Sequence, residues 1–490
     1  MTHPISHITG SSRGIGRATA SAALVAGEEI DGKSSHALVP PRPPGAAGID
    51  ASPSALKFAR RLPHRPDRVG SSVLAADLAA FMKTTAAVLL VCVLSLSGLL
   101  GCTVVRQPSP PLEATADSPG GIRVMGADHR FADVSIGSVA RRAQDLRGGE
   151  PVTILALSGG GADGAFGAGA LVGLTQAGVR PRFSVVTGVS AGAFLAAYAF
   201  LGPEWDQQLI DSYTSGRAEH LLQPRGLGMI FNSSVYRGRP LEQLVDHYLS
   251  DALIQAVANE AASGRLLLVA TTNVDTGETV IWDMGSIAMN GGPNANALFR
   301  DVLVASASVP GLFPPVIIRV QGEQGDYSEA HVDGTTTVPF LVPSALLHAA
   351  GQVTDHSPPE VYVIVDGQLS EQPKSVQLHF RTIVSRSIST GLTHMTRTTL
   401  ELTATTARLQ GANLQYSAIP TAYPNLAPFD FHTSTMRSLY QYGYECAHTG
   451  RLWVASQAAV SDHSHQGESA SGQRVGCPAD DDYIARFAVR

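Results

Sequence analysis

A mainly parallel β-sheet between two layers of helices is the α/β architecture this chain predicts, on three observations. Short apolar, β-branched runs at 152–157, 183–187 and 360–366 have the length and composition of buried strands. Two of them end in glycine-rich turns that lead straight into helical patterns, at 165–176 and 193–201. Hydrophobic residues make up 44% of 490 residues, enough to fill a large core.

The strand at 152–157 runs into Ser158-Gly159-Gly160-Gly161-Ala162-Asp163-Gly164, and the helix after it ends at Gly178. A glycine loop at a helix N-terminus points backbone N–H groups outward and favours an anion, either a phosphate or an oxyanion. No Gly-Lys-Ser/Thr follows, which argues against a nucleotide P-loop. The strand at 183–187 leads into Gly188-Val189-Ser190-Ala191-Gly192 and then an apolar helix. This is the strand–turn–helix setting of a nucleophile elbow, in which the serine is strained and the glycines two positions away avoid a clash. The bland reading of the same residues is a tight turn with a structural serine. Gly161 lies 29 residues before Ser190, so two adjacent parallel strands would place the loop amides beside the hydroxyl.

Apolar spacing predicts one helix over 239–262, and Glu360 onward a further strand. Trp205, Tyr213, Phe231 and Tyr236 fall between the elbow helix and the 239–262 helix, as ordinary core or as the lining of a ligand groove or a lid. Residues 330–335 place Asp333 in an Asp-Gly turn with Gly334, after a strand-like run. Residues 376–410 read as helix with a break near Gly391.

Taken in order, the Gly-Gly-Gly-x-x-Gly loop, the Gly-x-Ser-x-Gly elbow and the later Asp-Gly resemble the patatin-like phospholipases, particularly their bacterial lipoprotein members. The stretches 270–277, 281–285, 305–315 and 436–444 resemble the same family, so the likeness covers roughly 150–456. The resemblance implies a three-layer fold with helices on both faces of the sheet, and a lipid acyl hydrolase of phospholipase A or lysophospholipase type. It implies Ser190 as nucleophile, Asp333 as base in a Ser–Asp dyad, and Gly159, Gly160 and Gly161 as the oxyanion loop. Gly164, Gly188, Gly192 and Gly334 complete the motifs, with no cofactor and no metal. Two positions depart from the family pattern. Asp163 stands where a Lys or Arg is usual, and is expected to face solvent or to cap the following helix. Thr335 replaces the usual Ala or Gly. The alternatives are an α/β-hydrolase esterase with a Ser–His–Asp triad, drawing on His348, His379 or His432, and an inactive lipid-binding scaffold on the envelope.

The formal net charge of −6 argues against a nucleic-acid binder, and no Cys-x-x-Cys or His-Glu-x-x-His supports a zinc site. Nothing sets an oligomeric state. Residues 8–16 resemble the cofactor loop of short-chain dehydrogenases. That fold's second βα unit is missing, and none of the four Lys has a Tyr four positions before it. Residues 1–81 are therefore expected to be a non-native upstream extension or gene remnant, with Met82 as the natural start. Residues 82–101 have the charged, apolar and small-residue regions of a signal peptide. Its end, Leu99-Leu100-Gly101-Cys102, resembles a bacterial lipobox, with Cys102 as the acylated residue; an uncut membrane helix is the alternative. The absence of Asp after Cys102 resembles outer-membrane sorting. Proline-rich residues open a tether and lead-in at 102–149, and the hydrolase domain is expected over 150–456, with a polar tail over 457–490. An exported compartment permits a disulfide between Cys446 and Cys477. The expected partner is a membrane phospholipid or other lipid ester.

Overall fold

The computed structural model describes residues 123–125 and 152–480, apart from 227–231, 323–324, 352–357, 372, 374, 425–426 and 456–475. The upstream extension, the signal segment, Cys102, Phe231 and most of the tail lie outside the described residues.

Among the described residues ten strands form one sheet: β1 (Arg123–Met125), β2 (Thr153–Leu157), β3 (Val185–Val189), β4 (Leu266–Asn273), β5 (Glu278–Asp283), β6 (Val316–Gly322), β7 (Gly325–Asp333), β8 (Glu360–Val365), β9 (Asn413–Ala418) and β10 (Val454–Ala455). The order is β1-β5-β4-β3-β2-β8-β9-β10, with β7 paired to β4 and β6 to β7. The five central strands, β4-β3-β2-β8-β9, run parallel, and the pairings at the margins are antiparallel. Parallel neighbours need helical crossovers. The helices are α1 (Gly164–Gln176), α2 (Ala191–Leu201), α3 (Asp206–Thr214), α4 (Arg239–Tyr248), α5 (Asp251–Ala262), α6 (Met284–Asn290), α7 (Gly292–Ser306), α8 (Ser344–Gly351), α9 (Phe380–Leu409) and α10 (Thr433–His448).

Side chains alternate across a strand, so each central strand feeds two cores. Leu155, Leu157, Val186 and Val269 face one core with α1, α2, α5, α7 and α10. Ile154, Ala156, Val185 and Leu268 face the other, against residues of α8 and α9. The expected three layers are present, and both faces of the parallel core are apolar because both are covered.

Two expected elements differ. The 239–262 pattern is two helices, because Ser250 adopts an extended conformation and its side chain accepts from Leu253 N–H, capping α5. The expected break at Gly391 is absent, and α9 is continuous over 30 residues. One glycine costs a helix about 1 kcal/mol, too little to interrupt it. Helices α1 and α10 pack closely. A Cβ on Gly169 would sit 1.9 Å from the Tyr440 carbonyl oxygen, and one on Gly443 would sit 2.3 Å from that of Phe166. Cys446, in α10, is disulfide-bonded to Cys477, with Cα atoms 5.5 Å apart. Cys477 and Pro478 are buried, and Arg451 pairs with Asp480 beside them.

Candidate active site

Strands β2 and β3 are neighbours in parallel register, with Leu157 opposite Gly188. Their carboxyl ends therefore deliver the glycine loop and Ser190 to the same edge of the sheet. Ser190 sits at φ 54°, ψ −124°, and among the described residues it is the one non-glycine with positive φ. Such a conformation costs on the order of 1–3 kcal/mol and persists only where the surroundings enforce it. Here they do. A Cβ on Gly188 would lie 2.3 Å from the Gly192 carbonyl oxygen, and one on Gly192 would lie 2.4 Å from that of Leu157. The elbow closes only with glycine at both positions.

The Ser190 amide is also held. It donates to Ser306 Oγ at 2.9 Å, and Ser306 Oγ donates to the Ala270 carbonyl at 2.8 Å. Ser306 is the last residue of α7, so a helix end and strand β4 together fix the turn. Two residues on, the Ser308 carbonyl accepts from the Asp333 amide at 2.9 Å. The segment 306–308 thus touches the backbone of both expected dyad residues.

Asp333 ends β7, opposite Thr271 of β4. Its Oδ2 accepts from Ser190 Oγ at 2.6 Å. Its Oδ1 accepts from the Thr335 amide at 2.8 Å and from Thr335 Oγ1 at 2.7 Å. Thr335 occupies one carboxylate oxygen with two donors and leaves the other to the serine. Asp333 is fully buried, which pushes its pKa up to about 6 even though the bonds from Ser190 and Thr335 favour the charged form.

The glycine loop is anchored from downstream. Ser158 N–H donates to the Ile364 carbonyl, Gly159 N–H to Pro339 and Ala162 N–H to Pro428. Of the three expected loop amides, that of Gly159 is therefore occupied. Those of Gly160 and Gly161 meet no acceptor among the described residues. A Cβ on Gly159 would stand 2.2 Å from Thr335 Cγ2 and 3.1 Å from Ser190 Cβ, which measures how closely the loop approaches both.

Asp163 does not face solvent, as one expectation had it. It stands at the N-cap position of α1, but its side chain makes no capping bond and is buried. Burial, with the nearby charge of Asp430, pushes its pKa up to about 8. Asp366 lies beneath the same loop. Its Oδ1 accepts from Gly167 N–H at 2.9 Å, its amide donates to Ser158 Oγ, and its Oδ2 is buried without a described partner. Burial holds its pKa well above the carboxylate range, and the charge of Asp163 pushes the same way. Burial thus disfavours the charged form of both carboxyls behind the loop.

The candidate triad histidines lie elsewhere. His348 bonds Gln410, His379 precedes α9, and His432 is exposed beside Asp430. The sequence did not single out His331, which is buried between Thr271 Oγ1 and Glu329 Oε2. Tyr213 and Tyr236 pack as core or part-core, Tyr213 against Phe194 and Tyr236 against Phe313, and Trp205 is half-buried against the same cluster. Among the described residues no three His, Cys, Asp or Glu side chains gather as a metal site. The roles of Ser306 and Asp366 were missed because each depends on a contact more than a hundred residues away.

The site thus joins a serine in a strained elbow, a buried carboxylate on its hydroxyl and a closely approaching glycine loop. Residues 155–344 match the family described as patatin-like phospholipase. Among solved structures, VipD from Legionella pneumophila is similar at 12% identity and a TM-score of 0.27, over 62% of this chain and 67% of its own. No curated protein sequence matches the chain.

Proposed function

We propose that this protein hydrolyses carboxylic esters of lipids through an acyl-enzyme on Ser190, with Asp333 as the general base. The observation that carries the reading is the 2.6 Å contact between Ser190 Oγ and Asp333 Oδ2 at a strained elbow. The family match supports lipid acyl hydrolysis in general.

Ser190 Oγ attacks the ester carbonyl as its proton passes to Asp333 Oδ2. A carboxylate is a weak base, and burial strengthens it by disfavouring its charge. The carbonyl oxygen becomes an oxyanion, which the Gly160 and Gly161 amides and the N-terminus of α1 stabilise. Collapse expels the alcohol, which takes the proton from Asp333 and leaves Ser190 acylated. Water then gives its proton to Asp333 and attacks the acyl carbon. The second tetrahedral intermediate releases the fatty acid, and the proton returns to Ser190. Positioning and amide stabilisation supply most of the acceleration, so turnover is expected to be modest. The full chain should release fatty acid from mixed phospholipid vesicles, while Ser190→Ala and Asp333→Asn lose at least about a hundredfold. Release that survives Ser190→Ala would sink the reading.

The expected signal peptide and Cys102 anchor place the enzyme, in this reading, on the bacterial envelope, in the outer membrane. Palmitate labelling that disappears in Cys102→Ser tests the anchor.

A further inference from the structure

Helix α9 is too long for the crossover it makes. It joins β8 to β9, which are parallel strands of six residues each. Six strand residues span about 20 Å. Thirty helical residues span about 45 Å. The side chains that α9 buries, Leu400, Thr403 and Ala407, all lie in its last ten residues. That end leads into Asn413, which pairs with Glu360 at the amino edge of the sheet. The first half therefore projects past the opposite edge, where Ser190 sits. A contact confirms the direction: Ser389 Oγ and Arg386 both bond Glu371, which follows the carboxyl end of β8.

The projecting half carries an apolar stripe. Phe380, Val384, Ile388 and Leu392 recur every four residues, Ile383 lies beside them, and Leu378 precedes the helix. All six are exposed, Phe380 at 82% and Ile388 at 60%. Single exposed apolar residues need no explanation; a contiguous helical stripe does. The charge pattern is one-sided. Between 372 and 400 the sequence holds Lys374, Arg381, Arg386 and Arg397 and no Asp or Glu, in a chain whose net charge is −6. Arg386 pairs with Glu371 and Arg397 contacts His394, so the cationic character belongs to the sequence run as a whole.

We infer that the N-terminal half of α9 is an interfacial helix that docks this protein on an anionic phospholipid surface, its apolar stripe in the acyl-chain boundary and its basic residues at the headgroups. An exposed apolar stripe in a stretch of sequence with cations and no acidic residue is the pattern of helices that lie in a membrane interface. A protein partner of ordinary composition would match the stripe but not the missing acidic residues. The inference goes beyond the hydrolase reading and stands without it. The two together bring the Ser190 edge of the sheet toward a bilayer.

The test uses the full chain carrying Ser190→Ala, so that vesicles survive. Ile388→Trp and, separately, Leu409→Trp report on the two ends of α9 against the background of the native tryptophans. Vesicles of phosphatidylglycerol or phosphatidylcholine carry brominated acyl chains. The indole at position 388 should be quenched by phosphatidylglycerol, with binding to phosphatidylcholine weaker by about fivefold for each engaged cation; the indole at 409 should not. Equal quenching at both positions, none at 388, or no headgroup preference overturns the inference. So does a dimer that buries position 388 before lipid is added, which would make a second copy the occupant. With Ser190 intact, Phe380→Ser/Ile388→Ser should cut fatty-acid release from anionic vesicles about tenfold and leave hydrolysis of a soluble short-chain ester unchanged. Vesicle release at the parent rate counts against docking. If the parent hydrolyses nothing, the hydrolase reading fails, and the quenching alone decides the docking.

Discussion

Thr335 gives Asp333 two hydrogen bonds on one oxygen, and those bonds favour the charged carboxylate. Replacing Thr335 by Val keeps the shape against Gly159 and removes one donor. The Asp333 pKa then rises above its present value of about 6. Because the proposed dyad needs the carboxylate, the acid limb of kcat/KM should move to higher pH, by about one unit. Thr335→Ser should restore the parent profile, and an unmoved limb in Thr335→Val would mean that the hydroxyl does not tune the base. Ser306 acts through the elbow backbone. Ser306→Ala leaves the buried Ser190 amide without its acceptor, and kcat should fall about tenfold with KM little changed. Steady-state kinetics on a soluble ester separates the two parameters. At this scale the sequence was legible where a local motif stands: Ser190 and its flanking glycines could be named from the strand–turn–helix pattern, and Asp333 from the family resemblance; the fold brings Ser190 and Asp333 into contact. It was silent on Ser306 and Pro339, whose contributions are a hydroxyl and a carbonyl brought in by the fold. Asp163 does not face solvent because the fold buries it in the loop, where burial and the charge of Asp430 disfavour its ionised form.

At the scale of elements, strands were easier to read than helix ends. The apolar runs fell within two residues of β2, β3 and β8, because a strand buried on both faces has no polar position to blur its limits. Helix breaks were read in the wrong places: Ser250 ends one helix by capping the next, and Gly391 interrupts nothing. The sequence motif at 436–444 has its physical reason in the close approach of α10 to α1, where glycines on both helices let the backbones meet. The Cys446–Cys477 bridge closes a loop of 31 residues onto that same helix. Cys446→Ser/Cys477→Ser should lower stability by about 3–4 kcal/mol if the constraint on the unfolded chain is the main term. Denaturant unfolding of oxidised parent and double variant measures it, and equal midpoints would show that the bridge contributes nothing.

The whole molecule should respond to pH in an unusual direction. Asp163, Asp366 and Asp333 all have folded pKa values above their unfolded ones. Between pH 4 and the raised values, the folded chain holds protons that the unfolded chain has lost. Stability from these groups is therefore fully present below their unfolded pKa and is lost as pH rises through the folded one. Each lowers stability by up to about 1.4 kcal/mol per pH unit within its window. Thermal unfolding should show Tm falling from pH 5.5 to pH 8, and Asp163→Asn should flatten the slope. A Tm that rises over that range would place the charged form of these carboxyls in the folded state.

The downstream anchors of the glycine loop bear on how this protein can be divided. The matched family segment stops at residue 344. Strands β8 and β9, which complete the parallel core, come later, as do the Ile364 and Pro428 carbonyls that seat the loop. A fragment ending at 344 would keep Ser190 and Asp333 and lose two of the carbonyls that seat the glycine loop, whose amides serve the oxyanion in the proposed mechanism. The inheritable motif and the smallest working machine are therefore different lengths of chain: natural truncations within the last third would yield proteins that still look like hydrolases by their signatures and have lost the means to be one.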